Sequence, residues 1–409
     1  MFPSLLLLAS LLSSAIATTL HTSSRWILDE NNNRVKFRCV NWAGHLETNI
    51  PEGLQHQPVD AIAAKIASLN FNCVRLTYSI DMALAQDVPV SESFALAVNA
   101  SGAPADPLNA LYTAAVQQNP FLSSATRIQT FANVIDSLNA HGVHVILDNH
   151  VSRAQWCCNL TDGNGWWDDA FGYSDLNSRW FNTTNWLAGL QAMATFAKGH
   201  DGVVGMSLRN EIRELPPQDL NNHDDWYSHV TEGANAVHGA NPDLLIIIGG
   251  TLGATDISFL RDRPLDVSGW AGKVVWEYHV YSYSIGYDTG NCDIFTSEMG
   301  AAAGYLLMQN EAFTGPLWLS EFGVGWSGGP NNTAGLGSQD AAYLQCLVGY
   351  MESNDAEWSI WAIQGDYYVR DGTVSYNESY GVLNADWSDV RNFNFSSYLG
   401  GMWNVTQGP

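Results

Sequence analysis

Two short stretches of the chain, Ser207-Leu208-Arg209-Asn210-Glu211 and Leu319-Ser320-Glu321-Phe322-Gly323, each set a glutamate at the end of an apolar run. Two carboxylates brought to one place can cleave a glycosidic bond: one protonates the leaving oxygen, and the other meets the developing oxocarbenium ion. A lone glutamate would mean little in a chain with 41 acidic residues, but a matched pair 110 residues apart means more. Metal chemistry lacks its signatures. No C-x-x-C pair and no H-E-x-x-H occurs, and Asp148-Asn149-His150 stands without further ligands at suitable spacing. No Walker loop is present either. Neither a metal nor a cofactor is expected.

Carboxylates from such distant stretches need a common scaffold. Eight short apolar, β-branched runs punctuate the chain: Phe37–Trp42, Asn72–Thr77, Val143–Asp148, Val203–Leu208, Leu244–Ile248, Val274–Tyr278, Leu317–Ser320 and Trp358–Ile363. Several are apolar throughout, as strands buried on both faces of a parallel sheet are. Segments with helical spacing lie between them, among them Val59–Ser68, Ile128–Ala140 and Trp226–His238, and each stops near Gly or Asn before the next run. This repeat predicts an α/β fold, a (β/α)8 TIM barrel. Glu211 and Glu321 then leave strands four and seven on the carboxyl-terminal rim, where such barrels place their active sites. Longer steps after the second and third runs, residues 80–127 and 151–185, predict long loops on that same rim. No Pro/Ser linker leads to a second module, so residues 18–409 read as one domain.

The formal charge of −24 disfavours nucleic-acid partners, which would be repelled at long range. A 46% hydrophobic composition can fill a large core and excludes general disorder. Leu5 to Leu12 is almost uninterruptedly apolar, and Ala15-Ile16-Ala17 has the small-x-small pattern of signal cleavage. That run is too short to span a bilayer, so residues 1–17 read as a secretory signal peptide, and no later segment predicts a membrane span. N-x-Ser/Thr sequons at Asn99, Asn159, Asn182, Asn331, Asn377, Asn394 and Asn404 agree with an extracellular glycoprotein, expected as a monomer. The cysteines are Cys39, Cys73, Cys157, Cys158, Cys292 and Cys346. Cys39 and Cys73 fall in strand-like runs, where a buried thiol and a bridge fit equally. Cys157 or Cys158, in loop-like sequence, is expected to pair with Cys292.

Further strand-end residues accompany the two glutamates. They are Arg75 in Cys73-Val74-Arg75-Leu76, His150 in Leu147-Asp148-Asn149-His150, Asn210 before Glu211, His279-Val280-Tyr281, and Trp361 in Ser359-Ile360-Trp361-Ala362. Taken with Glu211 and Glu321, in this order on runs two, three, four, six, seven and eight, they resemble glycoside hydrolase family 5 over essentially the whole mature chain. The resemblance implies a retaining hydrolase of β-linked glucans acting like an endo-β-1,4-glucanase. Exo action on short oligosaccharides or aryl glycosides is the alternative. Ile212 stands where the family commonly has Pro. Trp156-Cys157-Cys158, Asp162-Gly163-Asn164-Gly165, Ser207–Glu211 and Trp358–Gly372 are more similar to a little-explored plant and fungal branch, a departure that bears on substrate more than on reaction.

Roles follow from the resemblance and from physics together. Glu211 is the candidate acid/base, which needs a raised pKa to hold its proton near the working pH. Glu321 is the candidate nucleophile, kept ionised by Arg75 and by a phenol donated from Tyr281. Asn210 is a donor to the sugar 2-hydroxyl, His150 and His279 bind hydroxyls or orient the carboxylates, and Trp361 offers a flat face to the sugar. Trp156, Trp166, Trp167, Trp326, Tyr367 and Tyr368 are candidate subsite walls. A barrel that only binds glycans is the competing reading, because fold alone does not fix function. A binder, however, has no need of a paired acid and nucleophile.

Overall fold

All eight runs form strands: β1 (Arg38–Trp42), β2 (Cys73–Ser79), β3 (His144–Val151), β4 (Val203–Ser207), β5 (Leu245–Gly249), β6 (Val274–His279), β7 (Leu317–Phe322) and β8 (Glu357–Ile360). In the computed structural model, which describes residues 19–284, 291–326 and 335–409, they make one closed parallel barrel. β8 closes the ring on β1 through the pairs Trp358↔Arg38 and Ile360↔Val40. The TIM barrel expected from the repeat is the fold observed. The stretch read as a signal peptide lies outside the described residues.

The helices form where local sequence favours them. In Arg127–Ala140 the Thr126 hydroxyl and the Gln129 side chain make a reciprocal capping box. Phe131, Val134, Ile135 and Leu138 recur at helical spacing and bury one face. Gly142, at φ 73°, takes the left-handed turn into β3. One crossover departs from the repeat: between β5 and β6 stand the single-turn 3₁₀ segments Ser258–Arg261 and Ser268–Trp270 rather than an α-helix. The insertion after β2 is helical, with Val90–Ser101 and Ala105–Gln118. Residues 152–182, after β3, contain neither helix nor strand.

Alternate residues of each strand face the barrel interior, and these change character with height. Near the amino-terminal end Cys39, Cys73, Ile146, Leu245, Val275 and Trp318 form an apolar cluster, joined from below by Leu20 and Ile27 around the short hairpin His21–Ser23/Trp26–Leu28. Two residues further along the strands stand Asn41, Arg75, Asp148 and Glu277, all buried. The floor is oily and the next layer charged.

Disulfides join Cys39 to Cys73, Cys157 to Cys158, and Cys292 to Cys346. The expected bridge from Cys157 or Cys158 to Cys292 does not form. Cys292 opens a helix (Cys292–Ala302) on the outer ring beside Ser338–Asn354, whereas Cys157 and Cys158 lie at the barrel mouth. Cys39 and Cys73 are direct partners in the β1–β2 register.

Where β8 meets β1, a buried ion network closes the seam. Asp355 accepts from Lys36 Nζ at 2.5 Å, Arg34 Nη1 at 2.6 Å, and the backbone amides of Thr406 and Gln407. Burial works to raise its carboxyl, but Lys36 and those amides outweigh it and hold it below its ordinary value. Asp355→Asn should cost about 3 kcal/mol by urea unfolding at neutral pH, because it leaves Lys36 buried without its counter-ion. The sign of the pH dependence follows from the lowered pKa: the stabilisation is present above about pH 4 and fades as pH falls through the folded value, so the variant and parent curves should converge there.

Candidate active site

Glu321 and Arg75 anchor the site from facing strands. Arg75, fully buried on β2, donates from Nη1 to Glu321 Oε1 at 2.6 Å and to Asn41 Oδ1 at 3.1 Å. Its Nη2 donates to Asn210 Oδ1 and Glu277 Oε1, both at 2.9 Å, and pairs with Asp148 Oδ1 at 3.0 Å. One guanidinium from β2 thus touches strands β1, β3, β6 and β7 and the loop leaving β4. Only Arg presents enough donors in a planar fork for this. The second oxygen of Glu321 accepts from the Tyr281 hydroxyl at 3.0 Å.

Glu211 comes from the loop directly after β4, at φ 41°, in the left-handed region that a side chain other than Gly rarely adopts. Its neighbours hold it there. Asn210 N donates to Asn149 O at 2.9 Å, and Arg213 Nη1 donates to the Glu211 carbonyl at 2.6 Å. Arg213 is itself fixed by Asp162 at 2.9 Å. The Glu211 side chain retains 19% exposure and meets His279 Nδ1 at 3.1 Å. One carboxylate oxygen each of Glu211 and Glu321 and a ring nitrogen of His279 all lie within 4.8 Å of one another.

Burial and charge compete throughout this cluster. Burial works against a charged His279, yet Glu321, Glu211 and Glu277 outweigh it and push the imidazole up to about 10. Burial works to raise Glu277, but Arg75 and His279 hold it at about 2. Asp148, beside Glu277 on the same guanidinium, goes the other way, to about 7: burial dominates, opposed by Arg75. Two carboxyls sharing one cation cannot both ionise freely. Glu321 is lifted by burial, with Glu211 and Asp148 adding to the lift and the charges of His279 and Arg75 opposing it. His150 is held neutral, well below its ordinary value, by burial and by Arg75.

These groups open into a cavity of ≈ 300 Å³ whose lining includes His150, Asn210, Glu211, His279, Tyr281, Glu321 and Trp361. Seven of the eight residues singled out from sequence therefore line one space. Arg75 lies beneath it. Trp361 stacks on His150 with ring centroids 5.4 Å apart. Of the aromatic wall candidates, Trp156 lines the cavity, while Trp166, Trp167, Trp326, Tyr367 and Tyr368 are buried in packing beneath the rim loops.

Sequence reasoning passed over several contributors. Glu277 sits two residues before His279, and the strand period of two puts both on the inner face. The same spacing relates Asp148 to His150, so that signal was legible. Tyr283, Glu378 and Tyr380 also line the cavity, and nothing local in the sequence points to them; Cys157, Cys158 and Arg370, from two of the stretches already set apart as bearing on substrate, line it as well. Among the described residues two clusters bring three metal-ligating atoms within 4.8 Å: Glu211, His279 and Glu321, and His150, Cys157 and Cys158. In the first, Arg75 and Tyr281 already occupy the oxygens of Glu321; in the second, the sulfurs are joined to each other.

An eight-stranded parallel barrel with two glutamates converging at its carboxyl-terminal mouth defines a glycoside hydrolase. Comparison with known proteins names the kind. The family description "Cellulase (glycosyl hydrolase family 5)" matches residues 28–366, and the chain belongs to that family. A "Glycosyl hydrolase 5 family protein" of Chamaecyparis obtusa is 36% identical over 98% of this chain and 70% of its own length. An "Endoglucanase" of Paenibacillus polymyxa is 22% identical over 90% of this chain and 83% of its own. Among solved structures, an endocellulase of the archaeon Pyrococcus horikoshii matches with TM-score 0.72 at 17% identity, covering 95% of this chain and all of that one.

Tyr281→Phe tests the electrostatic arrangement. Losing the phenol removes a hydrogen bond to a carboxylate, worth about 1.5–3 kcal/mol. Glu321 should then protonate more readily, so the acid limb of kcat/KM should move up by about one pH unit with the circular dichroism spectrum unchanged. An unmoved limb would contradict the assignment.

Proposed function

We propose that this chain is a secreted, retaining endo-β-1,4-glucanase that works by double displacement. The observation that carries the reading is the convergence of Glu211 and Glu321 oxygens within 4.8 Å around His279. Retaining enzymes keep their carboxyl groups about 5–5.5 Å apart, whereas inversion needs about 6.5–9.5 Å to admit a water between them. Glu321 attacks the anomeric carbon while Glu211 protonates the leaving oxygen. Arg75 and Tyr281 aim the nucleophile through its two oxygens. Glu211, now a base, then activates the water that releases the sugar. Asn210 has its Oδ1 committed to Arg75, and its Nδ2, which donates to the Cys157 and Cys158 sulfurs at 3.6 and 3.4 Å, is the group that would turn to a sugar 2-hydroxyl. Trp361 supplies the apolar face under the ring.

The β-1,4-glucan substrate is favoured by kinship. The family description is that of cellulases, and the Pyrococcus horikoshii endocellulase has been solved with cellotetraose. Secretion is supported by the leader-like residues 1–17, by three disulfides, which persist in oxidising compartments, and by exposed sequons at Asn99, Asn377, Asn394 and Asn404.

Proton NMR of cello-oligosaccharide hydrolysis should reveal the β anomer as the first product, and a first-formed α anomer would overturn retention. Glu321→Gln should abolish turnover, by about 10⁴-fold or more, while thermal unfolding stays near that of the parent. Full activity in this variant would end the assignment.

A further inference from the structure

A second chamber adjoins the catalytic cavity and has no part in the chemistry above. It encloses ≈ 420 Å³ and is lined mainly by Glu47, Arg153, Gln155, Trp156, Cys158 and Asp371. Trp156 and Cys158 belong to the lining of both spaces, so they form the partition between them. The partition is braced. Arg370 stacks 3.3 Å from the Trp156 ring centroid and is itself paired with Glu378 at 3.1 Å, and the disulfide ties Cys158 to Cys157.

Glu47, in the loop after β1, is only 8% exposed, and its Oε2 has no hydrogen-bond partner among the described residues. A buried carboxyl oxygen left unpartnered is costly, and a ligand hydroxyl would supply what the protein does not. Burial lifts this carboxyl to about 7, with Asp371 adding and Arg153 opposing, so Glu47 faces both across the chamber. Arg153 lies over the Trp180 ring at 4.4 Å and has no ion pair among the described residues. Asp162, the remaining acid of the lining, is neutralised by Arg213. Charge is thus close to balanced, which disfavours both an anionic and a cationic ligand. No three metal-ligating atoms of this lining cluster together among the described residues. A neutral, hydroxyl-rich ring fits: donors and acceptors surround it, and an aromatic side chain separates it from its neighbour in the catalytic cavity.

We infer that the chamber bounded by Glu47, Arg153, Asp371 and the Trp156–Cys158 partition is a second saccharide site, which holds a more distant sugar of the same chain whose scissile bond lies at Glu211 and Glu321. Its walls come from the insertion after β3 and from the hairpin Asp366–Arg370/Thr373–Asn377, so it sets preference for substrate length and leaves the reaction itself alone. The inference rests on the β-glucan reading proposed above.

The test compares cellopentaose with an aryl β-glucoside carrying a single sugar. Glu47→Met and Asp371→Asn should each raise KM for cellopentaose, by about tenfold for Glu47→Met, with kcat little changed and the aryl glucoside turned over as before. Glu47→Met should also keep or raise the thermal midpoint, since it removes an unpartnered buried carboxyl. Equal losses on both substrates, or a lowered midpoint with those losses, would mean a structural role and overturn the inference. Unchanged cellopentaose kinetics would mean a cavity filled by solvent only. If the parent hydrolyses cellopentaose alone, a raised KM with unchanged kcat and thermal midpoint upholds the inference and a lowered kcat overturns it; if the parent hydrolyses neither substrate, the proposed function fails separately. Calorimetric binding of cellopentaose to Glu321→Gln, with and without Glu47→Met, then decides the chamber: weaker binding in the double variant upholds it, and equal affinities overturn it.

Discussion

The site depends on one buried guanidinium. Arg75 holds Glu321, Glu277, Asp148, Asn210 and Asn41 at once, and each of these comes from a different part of the barrel wall. Removing three carboxylates from water would cost several kcal/mol each if they were left alone. With Arg75 and a protonated His279 among them, the same carboxylates become a rigid frame that positions the catalytic oxygens before any ligand arrives. Preorganisation of this kind is what lets fixed charges act on a transition state without further rearrangement.

Such a frame needs an enclosure that excludes water from below. The amino-terminal half of the barrel supplies it, with Cys39, Cys73, Ile146, Leu245, Val275 and Trp318 filling the interior and the short hairpin covering the end. Charge therefore faces only upward, toward the mouth. The left-handed backbone at Glu211 fits this division of labour. The strand delivers Asn210 to Arg75, and the abrupt turn after it swings the next side chain up into the cavity, where the Arg213 clamp keeps it.

Much of this was legible in the amino-acid chain, because the barrel is written locally. Each strand is a short apolar run, each helix carries its own cap and buried stripe, and active-site residues stand at strand ends by the rule of the fold. Arg75, His150, His279 and Tyr281 could be found that way. What escaped was set by tertiary contact. The bridge expected between Cys157 or Cys158 and Cys292 fails because two segments that look alike as loops in sequence need not meet in space: Cys292 opens an outer helix, and the vicinal pair lies at the mouth. Trp166, Trp167 and Trp326 read as wall candidates because a rim-loop tryptophan has the same sequence appearance whether it faces a ligand or its own loop. The missing helix between β5 and β6 follows the same logic: a parallel crossover needs length, and its residues can meet that need with turns.

The joined sulfurs of Cys157 and Cys158 have one more consequence. With a ring nitrogen of His150 they bring three ligand atoms within 4.8 Å of each other at the edge of the catalytic space. As free thiolates they would make a strong trap for thiophilic ions, which favour sulfur and imidazole donors. Linked to one another, the sulfurs lose that basicity and become a neutral surface. The edge of the catalytic space at Cys157 and Cys158 is therefore uncharged wall, beside the buried charges that Arg75 gathers below it.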